Sequence, residues 1–417
     1  MVFKSFSYRV YQYVLLHFMH LVKYQNKVIS GKGTVYYIPN ILKKQDIKKV
    51  LVITGPHIVK SAMFKNIISS FKNKGLICTI FYGTGSETDI KSAEAARSLY
   101  IKESCNAIVA IGGGSVTDCA KAAACGIAKQ KKSIRSLCGY EKVRKLIPVI
   151  VAVPTTAGTG AETTACAVIK DVNGDKKIIA DTKICPKYAI LDPLMTENLP
   201  RDLIAYTGMD ALTHATESYI NKYSSKGSRK DAETAIFLII ENITNVYYGN
   251  GGIVSRQDML EASYLAGRAF MRTSVGYVHA ISHAIGGKYN LPHGMVVAIV
   301  LPYVLEWYGS GIDKKLARLS DISGISKNGM SGKQKAQTYI NFVKILNQRF
   351  SINANFYKSL KKASKSHKTS KNDILSIAKS AIAEANPYYP VPKIMSLKEC
   401  KHLVQKILRD SYTKANI

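Results

Sequence analysis

The stretch AIVAIGGGSVTDCAKAAA, residues 107–124, decides the fold of the first half of this chain. AIVAI is a short apolar run of the kind that forms a buried strand, and the glycines at 112–114 mark a tight turn at its end. The small residues that follow Ser115 favour a helix. A strand that turns directly into a helix predicts a βαβ unit, and therefore a parallel sheet covered by helices.

The same alternation continues on both sides of this stretch. Further strands are predicted where β-branched, apolar runs occur, at KKVLVITG (48–55), LICTIFYG (76–83), LIPVIVAVP (146–154) and YAILDP (188–193). From about Arg201 the pattern changes to long helical periodicities such as DALTHATESYI. We therefore expect an α/β plus all-α protein, with a doubly wound parallel-sheet domain in residues 1–200 and an all-helical domain in residues 201–417.

Composition excludes several classes of protein. Hydrophobic residues make up 47% of the 417 positions, enough for a sizeable core. No apolar run approaches the roughly 20 residues that a membrane span needs, so we expect no membrane partner. The eight cysteines form no CxxC pair and lie mostly in apolar segments, as in proteins of a reducing compartment. This pattern predicts a cytoplasmic protein.

The chain is strongly basic, with 59 lysines and arginines against 28 acidic residues and a formal charge of +31. Such a charge attracts polyanions and anionic substrates. It is spread along the chain, without an arginine-rich arm, a zinc finger or a stacking-aromatic motif. We interpret it as a lysine-rich surface and expect no specific nucleic-acid partner, although a basic nucleotide- or nucleic-acid-binding protein is the non-enzymatic alternative.

Two segments that follow predicted strands are suited to a dinucleotide. Glycines at the end of a parallel strand let backbone N–H groups approach a pyrophosphate, and the next helix adds the positive end of its dipole. The segment VPTTAGTGAE (153–162) places hydroxyl groups and glycines directly after another strand. A tight structural turn is the alternative for the glycines alone. Together the two segments predict that the first domain binds a dinucleotide.

The end of the first long strand bears on the choice between NAD and NADP. An acidic residue there would bind the ribose 2′-hydroxyl of NAD and repel the 2′-phosphate of NADP. Gly55 occupies this position, and Lys60 follows nearby. The sequence therefore favours NADP over NAD without excluding NAD.

Histidines cluster in HAISHAIGGKYNLPH, residues 279–293. His279 and His283 are four residues apart, as are Asp210 and His214, so each pair lies on one face of a predicted helix. His293, after Pro292, could complete a site from a turn. One carboxylate and several imidazoles suit Fe²⁺, Zn²⁺ or Mn²⁺. Ordinary core histidines are the alternative, and the spacing does not say which histidine is spare.

The chain resembles the iron-containing (group III) alcohol dehydrogenases in GGGSVTDCAK, PTTAGTGAE, DPLMTENLP, GMDALTHATESY and GYVHAISHAIGGKYNLPHG. These motifs occur in family order across nearly the whole chain. The resemblance implies a dehydroquinate synthase-like architecture, in which a dinucleotide-binding domain precedes a helical metal-binding catalytic domain. It also implies an ion and a nicotinamide in the cleft between the domains, and usually a homodimer.

The resemblance assigns roles to individual residues. The positions that match metal ligands are Asp210, His214, His279 and His293, whereas His283 matches a non-ligand histidine beside the nicotinamide and substrate. The positions that match the cofactor site are Gly112, Gly113, Gly114, Ser115, Asp118, Thr155, Thr156, Thr159 and Lys176, and Gly55 stands where NAD-dependent members usually carry aspartate. Val297-Ala298 and Arg272-Thr273 each replace an Asn-Ala pair that is common in the family.

The expected function is metal-dependent hydride transfer between NADP or NAD and a small primary alcohol or aldehyde. Fe²⁺ is the expected ion, with Zn²⁺ possible, and it would act as a Lewis acid on the substrate oxygen. His283 would pass a proton between that oxygen and solvent. The alternative within the enzyme class is a glycerol-dehydrogenase-like or other polyol or hydroxy-acid dehydrogenase, or a dehydroquinate-synthase-like reaction.

Overall fold

The computed structural model describes residues 6–14, 26–85, 87–172, 174–363 and 370–413. The chain divides into two compact units. The sheet unit comprises Val22–Leu199 and Gly251–Gly267, and the helical unit comprises Met1–Leu21, Pro200–Asn250 and Arg268–Ile417. Residues 251–267 thus group with the sheet, although they lie far from it in sequence.

A six-stranded parallel sheet forms the centre of the sheet unit, with strand order β1-β9-β6-β4-β2-β3. Its strands are β1 (Lys27–Ser30), β2 (Lys49–Thr54), β3 (Ile77–Phe81), β4 (Ala107–Gly112), β6 (Val149–Pro154) and β9 (Tyr188–Leu191). The central strands β2, β4 and β6 are almost fully buried because helices cover both faces of the sheet. Five of these strands match the predicted ones; β1, a short edge strand, was not predicted.

Four helices of the sheet unit connect these strands. They are α2 (Ile38–Lys43), α3 (Ala62–Asn73), α4 (Ile90–Lys102) and α5 (Gly114–Ala128). One core cluster contains the buried side chains of α2 and α3, and another contains those of α4 and α5. Two separate cores on one parallel sheet confirm the doubly wound arrangement predicted from sequence.

A second, three-stranded sheet lies beside α5, and the sequence pattern did not reveal it. It consists of β5 (Gly139–Tyr140), β8 (Lys176–Ala180) and β7 (Cys166–Lys170), in the order β5-β8-β7. Strands β7 and β8 form an antiparallel hairpin, whose turn contains Gly174 at a φ of 85°. The left-handed backbone there suits glycine.

The second half of the chain is helical, as predicted. Its helices are α6 (Arg201–Ile220), α7 (Lys226–Tyr248), α8 (Gly252–Phe270), α9 (Tyr277–Tyr289), α10 (His293–Tyr308), α11 (Asp313–Ile322), α12 (Gly332–Arg349), α13 (Ile352–Ala363), α14 (Lys371–Ala385) and α15 (Leu397–Thr413). Residues 6–14 form the helix α1, and residues 15–25 lie outside the described part of the chain.

Helix α10 lies in the centre of the helical unit and packs against α6, α9 and α12. By length and composition, His293–Ile322 is the one segment of the described chain that could cross a membrane. However, 67% of its apolar window is buried inside the fold, as in the core helix of a folded domain. Its apolar character is therefore accounted for by packing.

Candidate metal centre and cofactor turn

Helix α6 carries the first two candidate ligands. Asp210 and His214 are one helical turn apart and point to the same side, as their spacing predicts. Both are buried, with 2% and 6% of their surface exposed. A buried aspartate needs a compensating positive charge, because burial of an unpaired carboxylate costs several kcal/mol.

Helices α9 and α10 bring three histidines to the same place. His279 and His283 lie one turn apart on α9, and His293 is the first residue of α10. The sequence pattern predicted that His293 would reach the site from a turn; instead Pro292 precedes α10 directly, and the histidine lies in the first turn of that helix. Three helices, rather than two helices and a turn, therefore carry the candidate ligands.

The four candidate ligands converge on one carboxylate oxygen. Oδ1 of Asp210 lies 3.5 Å from Nε2 of His279, 3.5 Å from Nε2 of His293 and 4.0 Å from Nε2 of His214. The ligand atoms of Asp210, His279 and His293 all lie within 4.8 Å of one another. His214 lies at the edge of this group, and its ring is stacked on that of His279 with 4.5 Å between centroids.

Two atoms at the centre of the group are buried without a hydrogen bond. Among the described residues, neither Oδ1 of Asp210 nor Nε2 of His279 has a hydrogen-bond partner. Buried polar atoms are almost always satisfied, so an orphaned acceptor facing imidazole nitrogens indicates a missing partner. A divalent cation would satisfy both atoms. One carboxylate oxygen and three imidazole nitrogens are a donor set that Fe²⁺ and Zn²⁺ both accept.

The charges of these groups also favour a cation at this point. Burial alone would raise the pKa of Asp210, but His214 and His293 outweigh it and hold the pKa well below its usual value. Burial would likewise lower the pKa of His279, yet the carboxylates of Asp210 and Glu217 raise it to about 9. The carboxylates of Asp210 and Glu217 thus stabilise a positive charge at His279, whether a proton or a metal ion supplies that charge.

His283 has different surroundings from the other histidines. Its Nδ1 lies 2.7 Å from Oε1 of Glu384, and the hydroxyl of Tyr389 donates to the same oxygen at 2.9 Å. The side chain of His283 is 28% exposed, whereas that of His279 is 2% exposed. Its ring is stacked against His293, with 5.0 Å between centroids. His283 therefore lies beside the ligand group, with one nitrogen fixed by a carboxylate and with access to solvent.

Two buried or partly buried glutamates were missed by the sequence analysis. Glu217 contacts His279 and Glu384 contacts His283. A signal for Glu217 existed, since residues 210, 214 and 217 share one helix face. No comparable signal existed for Glu384, which is 101 residues from the histidine it contacts.

In the sheet unit, the predicted glycine turn joins β4 to α5. The helix begins at Gly114, and its N-cap residue, Gly113, has no side chain to cap the first N–H groups. A Cβ on Gly112 would lie 2.5 Å from the side chain of Val116, so no larger residue fits there without rearrangement. The uncapped start of a long helix next to glycines is the arrangement that binds phosphate groups.

The second cofactor segment packs directly onto this turn. The N–H of Thr155 donates to the carbonyl of Gly112, because β4 and β6 are neighbouring parallel strands. A Cβ on Gly113 would contact Thr156 at 3.2 Å, and one on Gly114 would meet Thr159 at 2.8 Å. The structure therefore brings together the two segments that the sequence assigned to one ligand.

Other predicted cofactor residues have protein partners. Asp118 accepts a hydrogen bond from the backbone of Val168 at 3.0 Å. Nζ of Lys176 lies 2.8 Å from Glu87, so this lysine is ion-paired. Ser115 lies in the first turn of α5, where its carbonyl accepts a hydrogen bond from Thr88.

Gly55 lies at the end of β2, next to the end of β4 in the sheet. Apart from its chain neighbours, a Cβ on Gly55 would meet no atom of the described residues within 4 Å, so there is open space beside it in this part of the structure. The N–H of Val59 donates to the carbonyl of Gly55 at 3.2 Å, which keeps the adjacent, exposed Lys60 near this strand end.

At both places where the chain departs from the family motifs, the side chains are engaged in contacts within the protein. Arg272 donates to Asp231 at 2.9 Å, and Arg268 makes a two-pronged contact with the same carboxylate. Val297 and Ala298 are fully buried in α10. Neither pair therefore adds a free charge to the candidate metal centre.

Comparison with known proteins agrees with this geometry. Residues 25–193 match the family model of iron-containing alcohol dehydrogenase, and residues 204–409 match that of the Fe-containing alcohol dehydrogenase family, C-terminal. The two matches cover both the sheet part and the helical part of the chain.

Individual relatives show the same relationship. An NAD-dependent methanol dehydrogenase from Bacillus methanolicus is 32% identical over 325 residues, which is 78% of this chain and 85% of the relative. Alcohol dehydrogenase 4 of Saccharomyces cerevisiae strain YJM789 is 36% identical over 279 residues, 66% of this chain and 72% of the relative. The crystal structure of a 1,3-propanediol oxidoreductase superimposes with a TM-score of 0.84 and 27% identity, covering 93% of this chain and 100% of that one.

These matches decide between the enzymatic and the non-enzymatic interpretation of the sequence. The chain belongs to the iron-containing alcohol dehydrogenase family and is a metal-dependent alcohol oxidoreductase.

Proposed function

We propose that this enzyme interconverts short primary alcohols and aldehydes, that it prefers NADP(H) to NAD(H), and that Fe²⁺ is its metal ion. The observation that carries the proposal is the group formed by Asp210, His279 and His293, whose ligand atoms lie within 4.8 Å of one another. Two of these atoms are buried and lack hydrogen bonds among the described residues. A binding protein would gain nothing from such a costly arrangement.

The residues that would hold the ion are Asp210, His214, His279 and His293. A bound divalent ion supplies Lewis-acid polarisation of an alcohol or carbonyl oxygen, while a nicotinamide accepts or donates the hydride. Zn²⁺ would fit the same donor set, so the identity of the ion depends on supply as well as on ligand type.

His283 is the proposed proton-transfer residue. Glu384 accepts a hydrogen bond from its Nδ1, so Nε2 is the nitrogen that can exchange a proton with the substrate oxygen. The side chain is partly exposed, which gives the proton a route to solvent. A general acid–base histidine of this kind typically contributes about a hundredfold to ten-thousandfold to turnover.

The preference for NADP rests on the end of β2. Gly55 offers no carboxylate to the adenosine ribose, and the open space beside it would accommodate a 2′-phosphate. Lys60 and the formal charge of +31 would attract that phosphate. The relative from Bacillus methanolicus is NAD-dependent by name, so the proposal concerns a difference between this chain and that relative.

The proposed substrates rest on chemistry shared by the relatives. Methanol and 1,3-propanediol, which occur in the names of two of them, both carry a primary hydroxyl group on a short chain.

We further propose a homodimer, which rests on the family resemblance alone. A cytoplasmic location is supported by the eight free cysteines.

The test combines metal analysis with cofactor turnover. The purified protein is loaded anaerobically with Fe²⁺ or, separately, with Zn²⁺, and is then mixed with NADP⁺ or NAD⁺ and a series of short alcohols. We expect one ion per chain, growth of the reduced-nicotinamide absorbance, and a higher kcat/KM with NADP⁺. Absence of both metal and cofactor reduction would contradict the proposal, and a higher kcat/KM with NAD⁺ would contradict its cofactor part.

His283→Ala is the companion variant. We expect it to keep its metal and to lose at least about a hundredfold in kcat. If this variant lost its metal while His279→Ala retained it, the roles of ligand and proton carrier would have to be exchanged.

A further inference from the structure

We propose that Glu217 is a positioning residue for the metal centre, which fixes the ring orientation and the tautomer of His279 and joins α6 to α9, two of the three helices that carry the ligands. This inference rests on the proposed metal site, but it concerns a residue outside the ligand set. Glu217 is 4% exposed and lies on α6 on the same face as Asp210 and His214.

The carboxylate of Glu217 accepts three N–H groups, all from α9 or its start. Oε2 accepts from Nδ1 of His279 at 2.6 Å and from the backbone of Gly276 at 2.9 Å, and Oε1 accepts from the backbone of Val278 at 2.7 Å. Such charge-assisted hydrogen bonds are about twice as strong as neutral ones. The contact therefore fixes the helix and the histidine ring at the same time.

The first consequence concerns the proton on His279. Both oxygens of Glu217 accept backbone N–H groups, so in the contact with His279 the carboxylate is the acceptor and Nδ1 carries the hydrogen. In a neutral imidazole the other nitrogen then has a free lone pair. That nitrogen, Nε2, is the one that faces Asp210 at 3.5 Å without a hydrogen bond of its own in the described chain. Glu217 thus selects the tautomer that can bind a cation.

The second consequence concerns the start of α9. Its N-cap residue is Gly276, which has no side chain to cap the first turn. The carboxylate of Glu217 replaces that cap from another helix and places negative charge at the positive end of the helix dipole. A Cβ on Gly276 would lie 2.6 Å from Oε1 of Glu217, so the glycine leaves room for this contact.

These contacts link the ligands of two helices in one rigid arrangement. α6 supplies Asp210 and His214, and three residues further along it supplies the carboxylate that holds the ligand of α9. Carboxylates that orient a ligating histidine usually change metal affinity by about 10- to 100-fold when they are removed. We expect an effect of that size here.

The test is Glu217→Gln, which preserves size but replaces one oxygen by an NH₂ donor. An amide can accept fewer of the three N–H groups, so at least one loses its acceptor. We expect the Kd for Co²⁺, measured through the visible absorption of the bound ion, to rise about 10- to 100-fold. The melting temperature of the metal-free protein is measured in parallel, because loss of the helix cap alone would change only that quantity.

Glu384→Gln is the matched control, since Glu384 makes the same kind of contact with His283, the histidine outside the ligand set. Its Kd for Co²⁺ should equal that of the wild type. An unchanged Kd in Glu217→Gln, or an equal loss in both variants, would overturn the inference. Failure of the wild type itself to bind Co²⁺ would instead refute the proposed metal site.

A measurement on the unaltered chain covers the case in which Glu217→Gln does not fold. In the Zn²⁺-loaded protein with ¹⁵N-labelled histidine, we expect His279 to show a protonated Nδ1 whose hydrogen exchanges slowly with solvent. An unprotonated Nδ1, or one that exchanges as fast as that of an exposed histidine, would overturn the inference without any substitution.

Discussion

Glu162 is a buried carboxyl group of the sheet unit whose ionisation is costly. It is 2% exposed, and burial raises its pKa to about 7, although its own backbone N–H and Lys121 oppose the shift. In the unfolded chain a glutamate titrates near 4.3. The folded protein therefore binds this proton more tightly than the unfolded chain does.

Linkage gives the sign of the resulting pH dependence. Because the pKa of Glu162 is raised in the folded protein, its contribution to the free energy of unfolding is most favourable below about pH 4.5. That contribution is lost as the pH rises to about 7. Glu162→Gln resembles the protonated carboxyl and does not ionise. We expect its free energy of unfolding, relative to wild type, to rise between these pH values by up to about 3 kcal/mol.

Thermal melting of both proteins at several pH values measures this difference. Glu197→Gln, which removes an exposed carboxylate from the same unit, should change the pH dependence little. A constant difference between wild type and Glu162→Gln from pH 5 to pH 8 would mean that Glu162 ionises as easily in the folded protein as in the unfolded chain.

At the scale of elements, the spacing between α6 and α10 determines whether His293 can reach Asp210. The two helices approach closely where Gly294, the second residue of α10, faces the backbone of α6. A Cβ on Gly294 would lie 2.3 Å from the carbonyl oxygen of Tyr206. Tyr206 precedes Asp210 by one turn, so the glycine sets the local distance between two ligand-bearing segments.

Gly294→Ala should therefore force α6 and α10 apart. We expect a loss of about 1–3 kcal/mol in the free energy of unfolding, typical of overpacking, together with a lower metal content after purification. Gly287→Ala on α9 is the control, because among the described residues its Cβ would meet no atom within 4 Å outside the backbone of its own helix. That control should be neutral or stabilised by up to about 1 kcal/mol through helix propensity. Normal stability and full metal content in Gly294→Ala would show that α6 can shift without effect on the site.

The elements also show what the sequence could and could not predict. The pairs 210/214 and 279/283 were predictable because helical periodicity alone puts such residues on one face. The contact of His283 with Glu384 depends on how α9 packs against α14, which no local pattern encodes. Strand β1 was missed because it has only four residues, and only one of them, Ile29, is even partly buried. The β7–β8 hairpin was missed because its strands are short and half exposed.

For the whole molecule, basic side chains outnumber acidic ones, so several carboxylates form ion pairs with two basic side chains each. Glu87 pairs with both Lys170 and Lys176, and Asp231 pairs with both Arg268 and Arg272. Glu306 likewise contacts Lys344 and Lys406. With 59 basic and 28 acidic residues, many cations cannot have a carboxylate partner. Their mutual repulsion destabilises the compact state at low ionic strength.

Salt should therefore stabilise this protein. Between ~10 mM and ~200 mM NaCl the Debye length falls from about 30 Å to under 10 Å, so repulsion between separate surface lysines is screened while close ion pairs lose little. We expect the melting temperature to rise over this range. The double variant Lys131→Glu, Lys145→Glu reverses two exposed charges and lowers the formal charge of +31 by four, and should melt higher at low salt with a smaller rise. If salt instead lowered the melting temperature of the wild type, the shared ion pairs would outweigh the repulsion, and the excess charge would not limit stability.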